Sequence, residues 1–367
     1  MNIAGGFIKF ILISINVFFA VLLILSAYSS LIDPVDLVFP SFLGLAFPFI
    51  LLCNVIFIVF WIIFSKRLLF LSVISILISL PGLLNFLQFN LPGSEVDTIK
   101  VMSYNVRLFD LYNWSDNIET RDKIFDQLSG QNADIYCFQE FYHTDQKGKF
   151  ETRDTLITFL NAKNYREAYT HKMRGEQYFG IATFTKFPII NSGKIIFEND
   201  DNNICLYTDV KVGSDTIRIY NLHIASIRFS YDDYTFVENI DSKSQSEDLE
   251  KGARTIYHRL SNAFVKRSIQ SKKILKHVKL SPYPVILCGD FNDSPNSFCY
   301  DLFSAVLDDS FKEAGRGIGK TYIGAFPSFR IDFIFHSKEL KAQNYITLPG
   351  KFSDHHAIVS RIKILDK

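Results

Sequence analysis

Up to about residue 90 the chain is apolar almost without a break, and beyond residue 94 apolar positions alternate with polar and charged ones. Three runs carry the apolar part: Phe10–Ser26, Phe39–Phe64 and Leu68–Leu87. Each approaches or exceeds the roughly 20 residues with which a helix crosses a bilayer. Three transmembrane helices are therefore expected. A cleaved signal peptide would explain only the first run, and polar sequence should then follow it; two further apolar runs follow instead. The stretch "NLPGSEVDT", 90–98, combines Pro, Gly and charge and reads as a boundary. The expected organisation is a membrane anchor over 1–90, a linker over 91–98 and a soluble domain over 99–367.

In that domain "IKVMSYNV", "ADIYCFQEF", "YFGIATFTKFPII" and "TIRIYNLHI" read as strands, as do "YPVILCGDFND", "RIDFIFHS" and "HHAIVSRIKIL". "NIETRDKIFDQLSGQ" has helical spacing through Ile118, Ile124, Phe125 and Leu128, with Gly130 as its expected end. A second helix is expected from about Asp248 to Val278. Many strands with a few helices between them predict an α/β or α+β domain of about 270 residues.

Charge sharpens the division. The net charge of +1 hides a head whose charged residues are Lys9, Asp33, Asp36, Lys66 and Arg67. The link between the first two spans holds no Lys or Arg, so the positive-inside rule puts Lys66 and Arg67 in the cytoplasm. Three crossings then place the protein as multi-pass in the cytoplasmic membrane, with its soluble domain outside. A near-neutral body lacks the clustered cations of a dedicated duplex-binding surface. Arg107, Lys172, Arg174 and Arg254 are scattered and read as solvated surface cations. The five cysteines show no CxxC spacing, so neither a zinc cluster nor a disulfide ladder is indicated.

Chemistry gathers at strand ends. "VMSYN" ends at Asn105, "DIYCFQE" at Glu140, "IRIYNLH" at His223 and "VILCGDFN" at Asp290 and Asn292. "RID" opens a strand with Asp332, and "SDHH", 353–356, precedes another. One such ending is an Asx-rich turn, but six point to a common rim where rigid strands hold reactive groups. Side chains two apart share a strand face, so Asn221 is expected to point with His223, and Asp290 with Asn292 if the strand persists.

Taken in order, "SYNVR", "FQE", "NLHI", "GDFND", "RIDFIF" and "SDHHAI" resemble the motifs of the endonuclease/exonuclease/phosphatase superfamily, over about residues 98–365. Deoxyribonucleases, apurinic endonucleases, neutral sphingomyelinases and inositol polyphosphate 5-phosphatases share it. The resemblance implies a four-layer α/β sandwich, two mixed sheets face to face with helices outside. It implies that Glu140, with Asn105 and Asp354, holds a divalent cation. An all-oxygen set favours Mg²⁺ or Mn²⁺ over zinc. It implies His355 as the catalytic histidine oriented by Asp332, Asp290 as the group that aligns or deprotonates water, and Asn292, Asn221 and His223 as phosphate contacts. His223 in such enzymes also protonates the leaving oxygen.

The expected function is a membrane-anchored phosphoesterase acting on phosphodiesters, its substrate a nucleic acid or a phospholipid head group. The alternatives are a lipid head-group phosphodiesterase and an inactive membrane-bound binding module. The last should lack a ligand or histidine, and none is missing. The segment 227–241, rich in aromatic and acidic residues, reads either as a substrate-selecting loop or as a polar connection.

Overall fold

The computed structural model describes residues 3–147, 150–198, 200–227, 246–324 and 329–365. They divide into two compact units, Met1–Leu87 with Ser294–Asp301, and Gln88–Asp293 with Leu302–Lys367. Of the segment 227–241, all but Ile227 lies outside the described residues.

The first unit is helical: α1 (Ile3–Ala27), α2 (Phe39–Phe64), α3 (Leu69–Ile78) and α4 (Leu80–Leu83). Gly6–Ala27 and Phe39–Phe64 are long and apolar enough to cross a membrane. The expected third span is not one helix. It stops at Ile78, turns at Ser79 and resumes for one short turn, because Pro81 has no N–H with which to continue the ladder. The extracytoplasmic placement counted three crossings and loses its basis here. Inside the unit, the Asn16 amide donates to Ser72 Oγ at 2.7 Å, and Trp61 Nε1 donates to Asn16 Oδ1 at 2.9 Å. Asn54 donates to the Phe19 carbonyl at 3.0 Å and accepts from Ser75 Oγ at 3.2 Å. Such bonds join helices where the surroundings offer no water. Gly44 is required by close approach, since a Cβ there would meet the Asn296 carbonyl oxygen at 2.5 Å.

Among the described residues the second unit holds fourteen strands. They begin β1 (Gln88–Phe89), β2 (Thr98–Asn105), β3 (Ile135–Thr144), β4 (Asn164–Met173) and β5 (Gln177–Thr185). Next come β6 (Ile189–Ile196), β7 (Ile204–Val212), β8 (Asp215–His223), β9 (Val285–Asp290) and β10 (Asp308–Asp309). The last are β11 (Arg316–Gly317), β12 (Asp332–His336), β13 (Leu340–Thr347) and β14 (Ile358–Ile364). One six-stranded sheet runs β13-β14-β2-β3-β5-β4, the other β10-β12-β9-β8-β7-β6. Both are mixed, β2–β3 and β8–β9 being their parallel pairs.

Period-two alternation divides each strand between two cores. Val101, Ile135 and Cys137 pack between the sheets against Ile219, Ile286, Cys288 and Ile334. The opposite faces are covered by helices α5 (Thr120–Gln131), α6 (Thr152–Phe159) and α7 (Ser246–Val278). Phe125 and Leu128 of α5 and Leu156 of α6 join Tyr104, Phe138 and Phe184. His277 of α7 packs on Tyr207 and Tyr220. The helix expected to end at Gly130 runs to Gln131, and Asn132 takes the left-handed cap conformation (φ 46°). Among the described residues no cysteine forms a disulfide.

Candidate active site

Strand register alone sets three reactive side chains in one row. His223 at the end of β8 is paired in parallel with Asp290 at the end of β9, and Asp290 lies opposite Asp332 at the start of β12. Gly289 makes this row possible. Its φ is 145°, and a Cβ there would lie 2.0 Å from the Leu222 carbonyl oxygen. The facing sheet supplies Asn105, at the end of β2, and Glu140. Between Phe138 and Phe141 the β3–β5 register shifts, and Glu140 sits in that bulge at φ 48°. A bulge re-aims a side chain that regular pleating would send elsewhere.

The two sheets meet at one cluster. The Asn105 amide donates to Glu140 Oε1 at 3.1 Å and to Asp290 Oδ2 at 3.0 Å. His223 Nε2 stands 3.7 Å from Asp290 Oδ2 and 3.9 Å from Glu140 Oε1. His355 Nε2 stands 3.7 Å from the same Asp290 oxygen, and its Nδ1 bonds Asp332 Oδ2 at 2.9 Å. Asp290, Asp332 and His355 could together hold a metal ion. Among the described residues, His223 Nε2 and Asp332 Oδ1 are buried without a hydrogen-bond partner. Buried polar atoms are seldom left so, and His223 Nε2 faces the Asp290 and Glu140 carboxylates.

Burial pushes the Asp290 carboxyl up, and Asp332 pushes it the same way while His355 and His223 pull it back. Burial alone pulls the His355 imidazole down. Asp332 and Asp290 outweigh it and hold His355 well above the usual histidine range. The surroundings thus favour the protonated form of His355, while burial of Asp290 works against its charged form.

Asn221 shares with His223 the face toward the other sheet, and three expected site residues take positions that alternation did not specify. Asn221 is wholly buried between the sheets, its amide donating to the Phe138 and Ala182 carbonyls and its oxygen accepting from Gln139 Nε2 at 2.7 Å. It lies one row below the rim because it pairs with Cys288, not Asp290. The strand does not persist to Asn292 either. That residue is left-handed (φ 51°), donates its N–H to Asp290 Oδ1 at 2.8 Å and its amide to the Ile224 carbonyl at 3.1 Å. Asp290 therefore closes an Asx turn with one oxygen and faces the site with the other. Asp354 has its carboxylate 3.6 Å from Arg107 Nε and 3.2 Å from Ser353 Oγ. Arg107, read from the sequence as a solvated cation, thus belongs to the rim.

Other residues brace the cluster, and no local sequence signal marked most of them. Arg267, fully buried in α7, donates to the Asn292 carbonyl and pairs with Asp293 at 3.3 Å. Thr321 Oγ1 accepts from the Ile331 and Asp332 N–H groups at 2.9 and 3.2 Å, and its carbonyl accepts from His356 N–H at 2.7 Å. Ser353 Oγ donates to the Asn105 carbonyl at 2.8 Å and accepts from His355 N–H at 3.2 Å. Ser353 alone was legible, as part of "SDHH".

Beyond Asn105 the backbone turns through four successive left-handed residues, Arg107, Leu108, Phe109 and Asp110 (φ 44°, 53°, 53° and 58°). Such a turn costs roughly 1–2 kcal/mol per non-glycine residue and is held by its surroundings. Phe109 is fully buried against Phe125, Phe138 and Phe141. Its N–H bonds the Val106 carbonyl at 2.8 Å.

Residues 102–355, more than half of the chain, match the model of the Endonuclease/Exonuclease/phosphatase family. Residues 9–86 match a domain of unknown function, DUF8431. Among solved structures, the chain is similar to a family protein from Leptotrichia buccalis, with TM-score 0.51 and 17% identity over 72% of this chain and 100% of that one. It is also similar to the human Nocturnin catalytic domain, with TM-score 0.50 and 19% identity over 76% and 96% of the two chains. A humanized D. rerio TDP2 gives TM-score 0.50 and 17% identity over 73% and 99%. These likenesses concern the fold. No curated protein matches the chain.

Proposed function

The chain belongs to the endonuclease/exonuclease/phosphatase family, and from that membership we propose a membrane-anchored phosphodiesterase that works with Mg²⁺. The family supplies phosphoester hydrolysis by divalent-metal-dependent enzymes. What supports the finer reading is one arrangement: Asn105 and Glu140 from one sheet, with His355 just before its strand β14, and His223, Asp290 and Asp332 from the other, with neighbouring polar atoms 2.9–3.9 Å apart.

The donor set fits a hard cation. Glu140 and Asn105 would hold it, with Asp290 adjacent, and carboxylate and amide oxygens without thiolate suit Mg²⁺ or Mn²⁺. Bound there, the ion would supply Lewis-acid polarisation of a phosphoryl oxygen. Asp354, held by Arg107 and Ser353, acts from the margin.

The protein groups divide the remaining work. Asp290, its carboxyl raised by burial, orients the attacking water and takes its proton. The His355 imidazolium, its Nδ1 fixed by Asp332, offers Nε2–H to a phosphoryl oxygen on which charge develops. His223 Nε2, unpartnered and aimed inward, gives a proton to the leaving oxygen. Asn292 and Arg267 keep the Asp290 turn in place. Asn221 serves the site by joining the sheets beneath it.

Two membrane-length apolar helices favour a second reading, in which the substrate is a lipid head group met at high local concentration. The full chain assayed with Mg²⁺ and with EDTA, on plasmid DNA, sphingomyelin and phosphoinositides, tests both. Mg²⁺-dependent release from one substrate supports the proposal and chooses between the readings. Activity on none, with no Mg²⁺ binding by calorimetry, overturns it in favour of a binding module.

A further inference from the structure

The strained turn after Asn105 has an exposed product. Beyond it Tyr112 is 59% and Trp114 46% exposed, and their rings meet edge to face at 5.1 Å. Arg107 lies over Trp114, its guanidinium carbon 4.8 Å from the ring centroid, while its Nε stands 3.6 Å from Asp354. Arg107 N–H also donates to Asn105 Oδ1 at 3.1 Å. The Arg107 guanidinium therefore ties an exposed indole to Asp354, and the Arg107 backbone N–H ties the start of the loop to Asn105. Single exposed apolar side chains are ordinary. A pair of aromatic rings fixed beside a charged cluster by an energetically costly backbone is not, because strain of this kind persists where function needs the geometry.

We propose that Trp114, with Tyr112 and Arg107, forms a platform on which an aromatic base of the substrate stacks, next to the phosphate held at the rim. The loop then selects nucleobase-bearing phosphodiesters. The inference rests on the phosphodiesterase reading and names its substrate class. An indole face accepts any base, and a guanidinium adds a cation–π contribution. The rival occupant is the quaternary ammonium of a choline head group, which aromatic cages also bind. Arg107 disfavours it, since a cation already covers the indole and a second would be repelled. The left-handed turn presents the platform: Phe109 is locked into the core and Asp110 Oδ1 accepts from Ser115 N–H at 3.2 Å. The loop's direction is thereby set before substrate arrives.

The chain has two tryptophans, Trp61 and Trp114, so indole emission reads the platform directly. The full chain in detergent micelles with EDTA, which prevents turnover, is titrated with a single-stranded oligonucleotide, an abasic oligomer of the same length and glycerophosphocholine. Trp114→Phe repeats each titration, leaving Trp61 as constant background. Quenching by the oligonucleotide alone, lost in Trp114→Phe, is the expected result. Equal quenching by the abasic oligomer, or quenching by glycerophosphocholine, overturns the platform; the latter points to a head group. With Mg²⁺, Trp114→Ala should raise KM for the oligonucleotide about ten-fold, the scale of one lost stacked base, and Trp114→Phe should restore most of it. An unchanged KM overturns the proposal. Hydrolysis without quenching would remove the platform alone, whereas quenching without hydrolysis would remove the phosphodiesterase reading and leave the platform.

Discussion

The helical unit and the sandwich both bury polar side chains, and they do so in opposite ways. In the helices Asn16, Asn54, Ser72, Ser75 and Trp61 are neutral and bond to one another or to backbone carbonyls. Nothing in that network faces outward, and its outer surface is apolar, with Phe10, Phe18, Ile63 and Phe64 all exposed. In the sandwich the buried polar groups at the rim include charged ones of both signs, the Asp290 and Asp332 carboxylates with the His355 ring against both. Asp290 and Asp332 pair in register, and among the described residues His223 Nε2 and Asp332 Oδ1 have no hydrogen-bond partner. A closed, neutral network holds helices together. An open, charged one is a place to do chemistry, and His355, set against both Asp290 and Asp332, offsets the repulsion between the two carboxylates.

The sharpest way to break this comparison is to remove a reacting group. Asp290→Ala should lower kcat on a simple phosphodiester by about 10³-fold or more with circular dichroism unchanged; near-normal turnover would return Asp290 to an ordinary turn residue. Next in size is a structural ion pair of the sandwich. Arg330 bonds Asp309 at 2.8 Å and lies over Phe311 and Phe333. Arg330→Leu takes the cation from the buried Asp309 carboxylate, which keeps its bond from the Phe311 N–H, and should cost about 3 kcal/mol in chemical denaturation. A smaller loss would mean that water reaches Asp309.

A closed neutral network should be worth less. Asn54→Ala removes links to Phe19 and Ser75 and should cost about 1 kcal/mol in detergent, with kcat on a soluble phosphodiester unaffected. A fall in kcat would tie the helices to catalysis and dissolve the contrast.

The smallest expected effect is a pH dependence. For His336, burial pulls the imidazole down, but the bond to Glu313 and the Ser337 carbonyl raise it on balance. For Glu313, burial pushes the carboxyl up, and His336 and the Ala342 N–H lower it on balance. A raised histidine stabilises fully below its unfolded value near ~6.5 and loses that as pH rises through its folded value. A lowered glutamate stabilises above ~4.3 and loses that as pH falls through its folded value. The pair should therefore support the fold best between those limits. Glu313→Gln should flatten melting temperature against pH on both sides, by about 1 kcal/mol; an unaltered profile would mean the pair is solvated.

What the sequence by itself determined is the chemistry and its order along the chain. Apolar runs ending in Asn105, Glu140, His223 and Asp290, then Asp332 and the His355 motif, named the site, because strand ends are local features written in adjacent residues. Two apolar helices long enough to cross a membrane were legible for the same reason, and the third was overread where Pro81 interrupts a hydropathic run that looks continuous. Tertiary structure decided which atoms face one another. A bulge, not alternation, aims Glu140, and a left-handed turn diverts Asn292. Register drops Asn221 beneath the rim, and Arg107, 247 positions before Asp354, becomes its partner. Spacing along a strand says which residues share a face, whereas long-range pairing and local backbone handedness, which cost free energy and are stabilised by distant packing, decide what that face meets.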